Sequence, residues 1–259
     1  MRLDKFLANS GCGSRSDVRK SISRGLVTVN SIVVRDAGLS LQDDDIVTYM
    51  GRAIGRRANN YLYFVLDKPD GVLTAMEDAR HECVGDYIQA ALRGKKLAPV
   101  GRLDFHTTGL LIITNDGELS HRLTSPRYNI SKRYRVTYTG APLTDKEVLE
   151  AKEGITLTDM DEPIKLKPAE LKLIDDSTCE LVLTEGKTHQ VRRMIAHWNR
   201  SVELLHREAV GPICLSELHA FREGQKEMQE LEANANAKGQ FFELSEEQVA
   251  ALRELCGLN

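Results

Sequence analysis

The sequence predicts an α+β fold in two parts, a small module and a larger body, on three observations. The first part reads as two short helices followed by short alternating strands. A polar, basic stretch without an apolar period, residues 52–60, follows as a connector. Beyond it, apolar runs of strand length alternate with short amphipathic helices, the pattern of a sheet with helices packed on it.

Composition bounds the answer. Of the 259 residues, 41% are hydrophobic and 28% charged, ordinary for a soluble globular chain. No apolar run approaches the ~20 residues of a membrane span, so no membrane partner is expected. The opening MRLDKFLANSG is charged throughout, so no secretory leader is expected. Cysteines 12, 83, 179, 214 and 256 are scattered without a C-x-x-C pair. That fits reduced thiols in the cytoplasm and no structural zinc. The net charge of −3 divides unevenly: residues 1–60 hold ten Lys+Arg and six Asp+Glu, +4, leaving 25 and 32, or −7. A basic module on an acidic body points to a phosphate-binding surface on the module.

Within the module, Leu3, Phe6 and Leu7 share a helical face. Ser14 with Asp17 resembles a capping box opening a second helix, with Val18 and Ile22 apolar and Gly25 at its C-terminal end. Arg15/Arg19 and Lys20/Arg24 are like-charge i,i+4 pairs, each costing roughly 0.2–0.5 kcal/mol on an isolated helix. A polyanion across the helix would turn that cost into attraction; the bland alternative is a solvated face. LVTVN, IVVR and DIVTYM follow as strands.

In the body, YLYFVL is a strand and KPDG a turn, and residues 81–92 read as a helix. The stretch Pro99–Ser120 organises the rest. A glycine-bearing turn at Gly101 leads into Arg102, Leu103 and Asp104 on a short loop, then a buried strand from Leu110 to Ile113. Asn115-Asp116-Gly117 turns the chain into a short helix closed by Ser125-Pro126. Asp104 is a carboxylate on a loop held by rigid neighbours, where chemistry is usually placed. Taken alone it reads as a turn or cap carboxylate bonded to nearby backbone N–H groups. In KRYRVTYT, Tyr134, Val136 and Tyr138 alternate with Arg133, Arg135 and Thr137, so alternation alone makes Tyr134 a core aromatic. A helix after Leu143-Thr144-Asp145 and a strand TCELVL come next. Thr188 then caps a helix with the stripe Val191, Met194/Ile195 and Trp198, off which Arg192 lies. Residues 226–239 read as a charged, Ala/Asn-rich insertion, and Ser245 caps a terminal helix.

The run GRLDFHTTGLLIITNDGEL, some nineteen contiguous residues, resembles the catalytic motif of pseudouridine synthases of the RsuA type, which isomerise uridines in ribosomal RNA. RLDKFL, GSRSDVRKSI and the following strands resemble the S4 RNA-binding domain over about residues 1–51. The body, residues 61–259, would then be the catalytic domain, a mixed, mainly antiparallel sheet flanked by helices. The resemblance implies that Asp104 is catalytic, as nucleophile on base or sugar or as base at C2′. It implies that Tyr134, in the K-x-Y motif that starts at Lys132, lies against the target base. It further implies that Arg192, in EGKTHQVRRM, pairs with Asp104 and keeps it ionised. Arg102 would fill the gap left by a flipped uridine. Arg15, Arg19, Lys20 and Arg24 become candidate RNA contacts. No cofactor and no metal are implied. The expected partner is ribosomal RNA or an assembling subunit, met by a monomer. LTSPR, K-x-Y and EGKTHQVRRM followed by LHRE look more like the small-subunit (16S) enzymes than the large-subunit (23S) ones. Two rivals are a large-subunit enzyme and a non-catalytic S4-type assembly protein. A glycosidase would need a second carboxylate in a comparable motif.

Overall fold

The computed structural model describes residues 1–10, 12–42, 45–54, 61–88, 92, 94–160, 162–226 and 241–258. The chain forms two compact units, residues 1–60 and 61–259.

The first unit runs α1 (Leu3–Asn9), α2 (Arg15–Ser23), β1 (Val27–Val29), β2 (Ile32–Val33), β3 (Val47–Tyr49) and β4 (Arg52–Ile54). The four strands make an antiparallel sheet in the order β2-β1-β3-β4. Leu3, Leu7, Val18, Ile22, Val27 and Val47 close the core beneath it. Ser14 and Asp17 form the capping box expected of them. Arg52–Ile54, assigned to the connector because they lack an apolar period, pair with β3 instead, Tyr49 opposite Arg52. A three-residue edge strand has too few positions to show alternation. Residues 55–60 of the expected connector lie outside the described residues.

The second unit contains β5 (Tyr63–Lys68), β6 (Ala98–Pro99), β7 (Thr108–Thr114), α3 (Gly117–Thr124), β8 (Lys132–Thr139) and α4 (Asp145–Glu153). It continues with β9 (Thr156–Leu157), β10 (Ile164–Lys165), β11 (Glu170–Asp175), β12 (Thr178–Leu183) and α5 (Gln190–His197). The chain then adds β13 (Ser201–Val210), β14 (Ile213–Cys214), α6 (Leu215–Lys226), β15 (Phe241–Glu243) and α7 (Glu246–Leu255). The main sheet runs β11-β12-β8-β13-β7-β5-β15, with β6 beside β7 and β14 beside β13. Every pairing in it is antiparallel except β13 with β7.

Strand β7 is buried on both faces, which explains its continuous apolar run. Leu110 and Ile112 enter one core with α3 and α7, while Leu111 and Ile113 enter another with Val72 and Val84. A third core gathers Val136, Leu181, Val191, Ile195 and Trp198. Asp116 caps α3 by accepting from the Glu118 and Leu119 amides, both at 3.1 Å. Of the helix expected over 81–92, only a single 3₁₀ turn, Val84–Tyr87, forms among the described residues. Apart from Lys226, the end of α6, the insertion expected at 226–239 lies outside them. No helix among them is long and apolar enough to cross a membrane.

Candidate active site

The site begins where the two parallel strands meet. Gly109 has φ +100°, and a Cβ there would overlap the Arg207 backbone of β13. Only glycine lets the strands approach this closely. Arg207, 4% exposed, reaches back to donate from Nε to the Leu110 carbonyl at 2.8 Å. The junction leaves residues 100–107 as a loop at the edge of the sheet, with Gly101 in the left-handed region at φ +72°.

That loop is held at each carbonyl from Leu103 to His106. Thr74 bonds Leu103 twice, its hydroxyl donating to the carbonyl at 2.6 Å and accepting from the amide at 3.2 Å. The Thr107 amide donates to the Asp104 carbonyl at 3.0 Å. The Phe105 carbonyl accepts from the Gly71 amide at 3.1 Å and from Lys68 Nζ at 3.2 Å. The His106 carbonyl accepts from the Arg192 guanidinium at 2.7 Å. Asp104 is thus presented by a backbone with little freedom, and its carboxylate remains 39% exposed in a cavity of about 420 Å³. Arg102, Thr107, Tyr134, Leu183 and His189 share the lining.

The residues singled out in the sequence are partly brought together. Asp104, Arg102 and Tyr134 line this one cavity. Lys132 joins Arg102, Tyr134 and Arg207 around an adjoining recess of about 150 Å³. Burial, helped by the nearby Arg207 charge, pushes the Lys132 ammonium down to about 8. It donates to the Ile130 carbonyl at 3.0 Å. Arg192 has a different partner from the one expected: its guanidinium bonds the His106 carbonyl, and the ionic neighbour of Asp104 is His189, with Nε2 3.7 Å from Oδ1. Arg192 is the third residue of its helix, and from that first turn it reaches the loop backbone. The helix cap is also displaced. His189, at φ +52°, precedes Gln190, so Thr188 is not the cap.

In the first unit, the arginines of α2 are not simply a solvated face. Arg19 donates to Asp4 at 2.9 Å, Arg15 lies 3.7 Å from it and Arg2 3.3 Å. Asp4 is fully buried. Burial alone would raise its pKa, but hydrogen bonds from Arg19 and Arg2, with the charges of Arg2 and Arg15, outweigh that and hold it below the ordinary value. Lys20 and Arg24 are exposed.

Sequence reasoning gave no role to Lys68 or Arg207, which it met only as parts of matching segments, and did not single out His189. Lys68 is fully buried, with its ammonium on the Pro69, Val72 and Phe105 carbonyls at 2.9, 2.8 and 3.2 Å. A signal was present: Lys68 falls in phase with Phe64 and Leu66, both inward on β5. No comparable signal marked His189, whose left-handed backbone is set by the turn.

The family model for RNA pseudouridylate synthases matches residues 62–197, and that for the S4 domain matches residues 1–47. The ribosomal small subunit pseudouridine synthase A of Haemophilus influenzae is 36% identical over 217 residues, 84% of this chain and 91% of that protein. Its Escherichia coli counterpart is 37% identical over 215 residues, 83% and 91%. An uncharacterized RNA pseudouridine synthase of Bacillus subtilis is 33% identical over 259 residues, 98% and 99%. Among solved structures, a pseudouridylate synthase is 32% identical with a TM-score of 0.63, covering 97% of this chain and 99% of that one. A matched domain that contains the whole Asp104 loop and both of its neighbouring strand segments leaves one assignment: the chain belongs to the RNA pseudouridine synthase family and carries an S4 domain.

Proposed function

We propose that this protein converts a uridine of small-subunit ribosomal RNA to pseudouridine, with Asp104 as the catalytic residue. The observation that carries this reading is a single partly exposed carboxylate on a backbone-clamped loop in a cavity walled by Tyr134. The relatives named for the small ribosomal subunit support the choice of RNA.

The isomerisation breaks N1–C1′ and makes C5–C1′; C5 gives up its proton and N1 regains one, with no net redox change. Asp104 opens the reaction, and its fixed loop spares the cost of orienting it at each turnover. Tyr134 offers a ring face to the uracil and a hydroxyl for a hydrogen bond. Arg102, exposed at the rim, occupies the place of the extruded base. Arg192 and Lys68 act on the loop backbone, and His189 supplies the neighbouring charge when protonated. The S4 domain supplies phosphate contacts through α2, with Lys20 and Arg24 as exposed cations outside the Asp4 cluster, and Arg15 and Arg19 sharing theirs with Asp4. The setting is the cytoplasm, where ribosomal subunits are assembled. The protein acts as a monomer.

The test is tritium release from C5-labelled uridine in 16S transcripts and assembling subunits. Wild type should release label, and Asp104→Asn should release none while RNA affinity stays within a few-fold. Release by the variant would remove Asp104 from the mechanism, and release from 23S RNA alone would reassign the substrate.

A further inference from the structure

Two buried side-chain polar atoms among the described residues have no hydrogen-bond partner: Arg133 Nε and Thr107 Oγ1. Charge accounts for the first, because Arg133 Nε lies 3.4 Å from Glu208 and 3.7 Å from Glu180. Thr107 is a neutral hydroxyl, and no ion pair explains it. It is 2% exposed, yet it lines the cavity that holds Asp104. Its amide is bonded to the Asp104 carbonyl at 3.0 Å, so the turn from 104 to 107 ties the backbones of the two residues, and both line the one cavity. The next residue is the control: the Thr108 hydroxyl meets His206 Nδ1 at 2.8 Å and is satisfied within the protein.

A hydroxyl removed from water and left unbonded costs stability, and a side chain of the same shape without it would avoid that cost. The cost is recovered if a ligand supplies the partner. We infer that Thr107 is a substrate-positioning residue whose hydroxyl hydrogen-bonds a polar atom of the target uridine in the Asp104 cavity. This rests on the reading that Asp104 works there on a uridine. A hydroxyl both donates and accepts. A uracil carbonyl and the ribose 2′-hydroxyl therefore share the required chemistry.

The experiment compares wild type, Thr107→Val and Thr107→Ser in single-turnover reactions. The RNAs carry uridine, 2-thiouridine, 4-thiouridine or 2′-deoxyuridine at the target, and thermal midpoints are measured in parallel. Thr107→Val should slow the uridine reaction about tenfold, the worth of one hydrogen bond, with a midpoint equal to or above wild type. Thr107→Ser should keep most of the rate. One substituted RNA should slow wild type more than it slows Thr107→Val, and that RNA identifies the bonded atom. Three results would each overturn the proposal. These are a wild-type rate for Thr107→Val, a lowered midpoint showing that the hydroxyl serves the fold, or equal effects of every substituted RNA on both proteins. Should Thr107→Val fail to fold, Thr107→Ser and Thr107→Ala carry the same comparison, because they differ by the hydroxyl alone. Wild type inactive on every uridine RNA would instead sink the uridine reading, a separate outcome.

Discussion

Burial lowers the Lys68 ammonium from 10.5 to about 8, while the charges of Asp70 and Asp104 pull it back up. The unfolded chain therefore holds this proton more tightly than the folded one. Between pH 8 and 10.5 the unfolded state binds more protons, so Lys68 makes stability rise with pH across that window, by up to about 3 kcal/mol. Below pH 8 both states are protonated and the contribution is flat. Lys68→Met should reduce the rise, leaving the share of Lys132, which burial also lowers to about 8, and urea denaturation at pH 7.5 and pH 10 would show a smaller stability gain than in wild type. The variant should also lose activity at neutral pH, because three carbonyls lose the ammonium as donor, and the Phe105 carbonyl next to Asp104 keeps only the Gly71 amide. Arg192 gives a second test at this scale. Arg192→Ala frees the His106 carbonyl and should lower the single-turnover rate about tenfold, with Arg192→Lys intermediate because one donor remains. The acid limb of the pH–rate profile should stay in place; a displaced limb would show that the guanidinium acts directly on the Asp104 carboxylate. Asp104, Arg102 and Tyr134 were legible because each sits in a contiguous motif. The donors that hold the loop were not, since a backbone carbonyl leaves no mark in a sequence and its partner is chosen by the fold.

Among the elements, β7 does most to place the site. Its burial on both faces was readable as a continuous apolar run, and its parallel pairing with β13 was not. Two registered pairs, Thr108 with His206 and Gly109 with Arg207, form that junction, and nothing in either segment names the other. Gly109→Ala puts a methyl into the Arg207 backbone at a φ that L-residues rarely adopt. It should cost about 3 kcal/mol or more in chemical denaturation, and any folded fraction should be less active because the Asp104 loop runs directly into this strand. Helix boundaries followed capping chemistry where it was strong, at Ser14, Thr144 and Ser245, all of which form capping boxes. Capping reasoning failed at Thr188, where a left-handed turn residue ends the loop instead.

Across the whole molecule, the charge division of +4 and −7 told where RNA is expected to bind but not which cations are free to bind it. Arg19 and Arg15 neutralise a buried carboxylate. Arg19→Ala should therefore destabilise the first unit as well as weaken RNA binding, and thermal unfolding would report it. Lys20→Ala with Arg24→Ala should leave the unfolding midpoint unchanged and flatten the dependence of RNA affinity on salt. An unchanged slope would make these two a solvated face. The two-part architecture was visible from composition because a small helical-then-β module and a long alternating body differ in pattern. The edge strand Arg52–Ile54 was hidden because pairing, not hydrophobicity, defines it.

The clamp on residues 103–106 has a temporal consequence. Besides the local Thr107 amide, its donors are Lys68, Gly71 and Thr74 on one side in sequence and Arg192 on the other, 86 residues after the carbonyl it holds. During synthesis the Asp104 loop leaves the ribosome long before α5 does, so it waits for its last donor. A nascent chain halted before residue 192 carries every residue of the catalytic motif without the finished loop. The finished loop therefore belongs to the late stages of the chain's own synthesis, as does β13, the strand that joins β8 to β7.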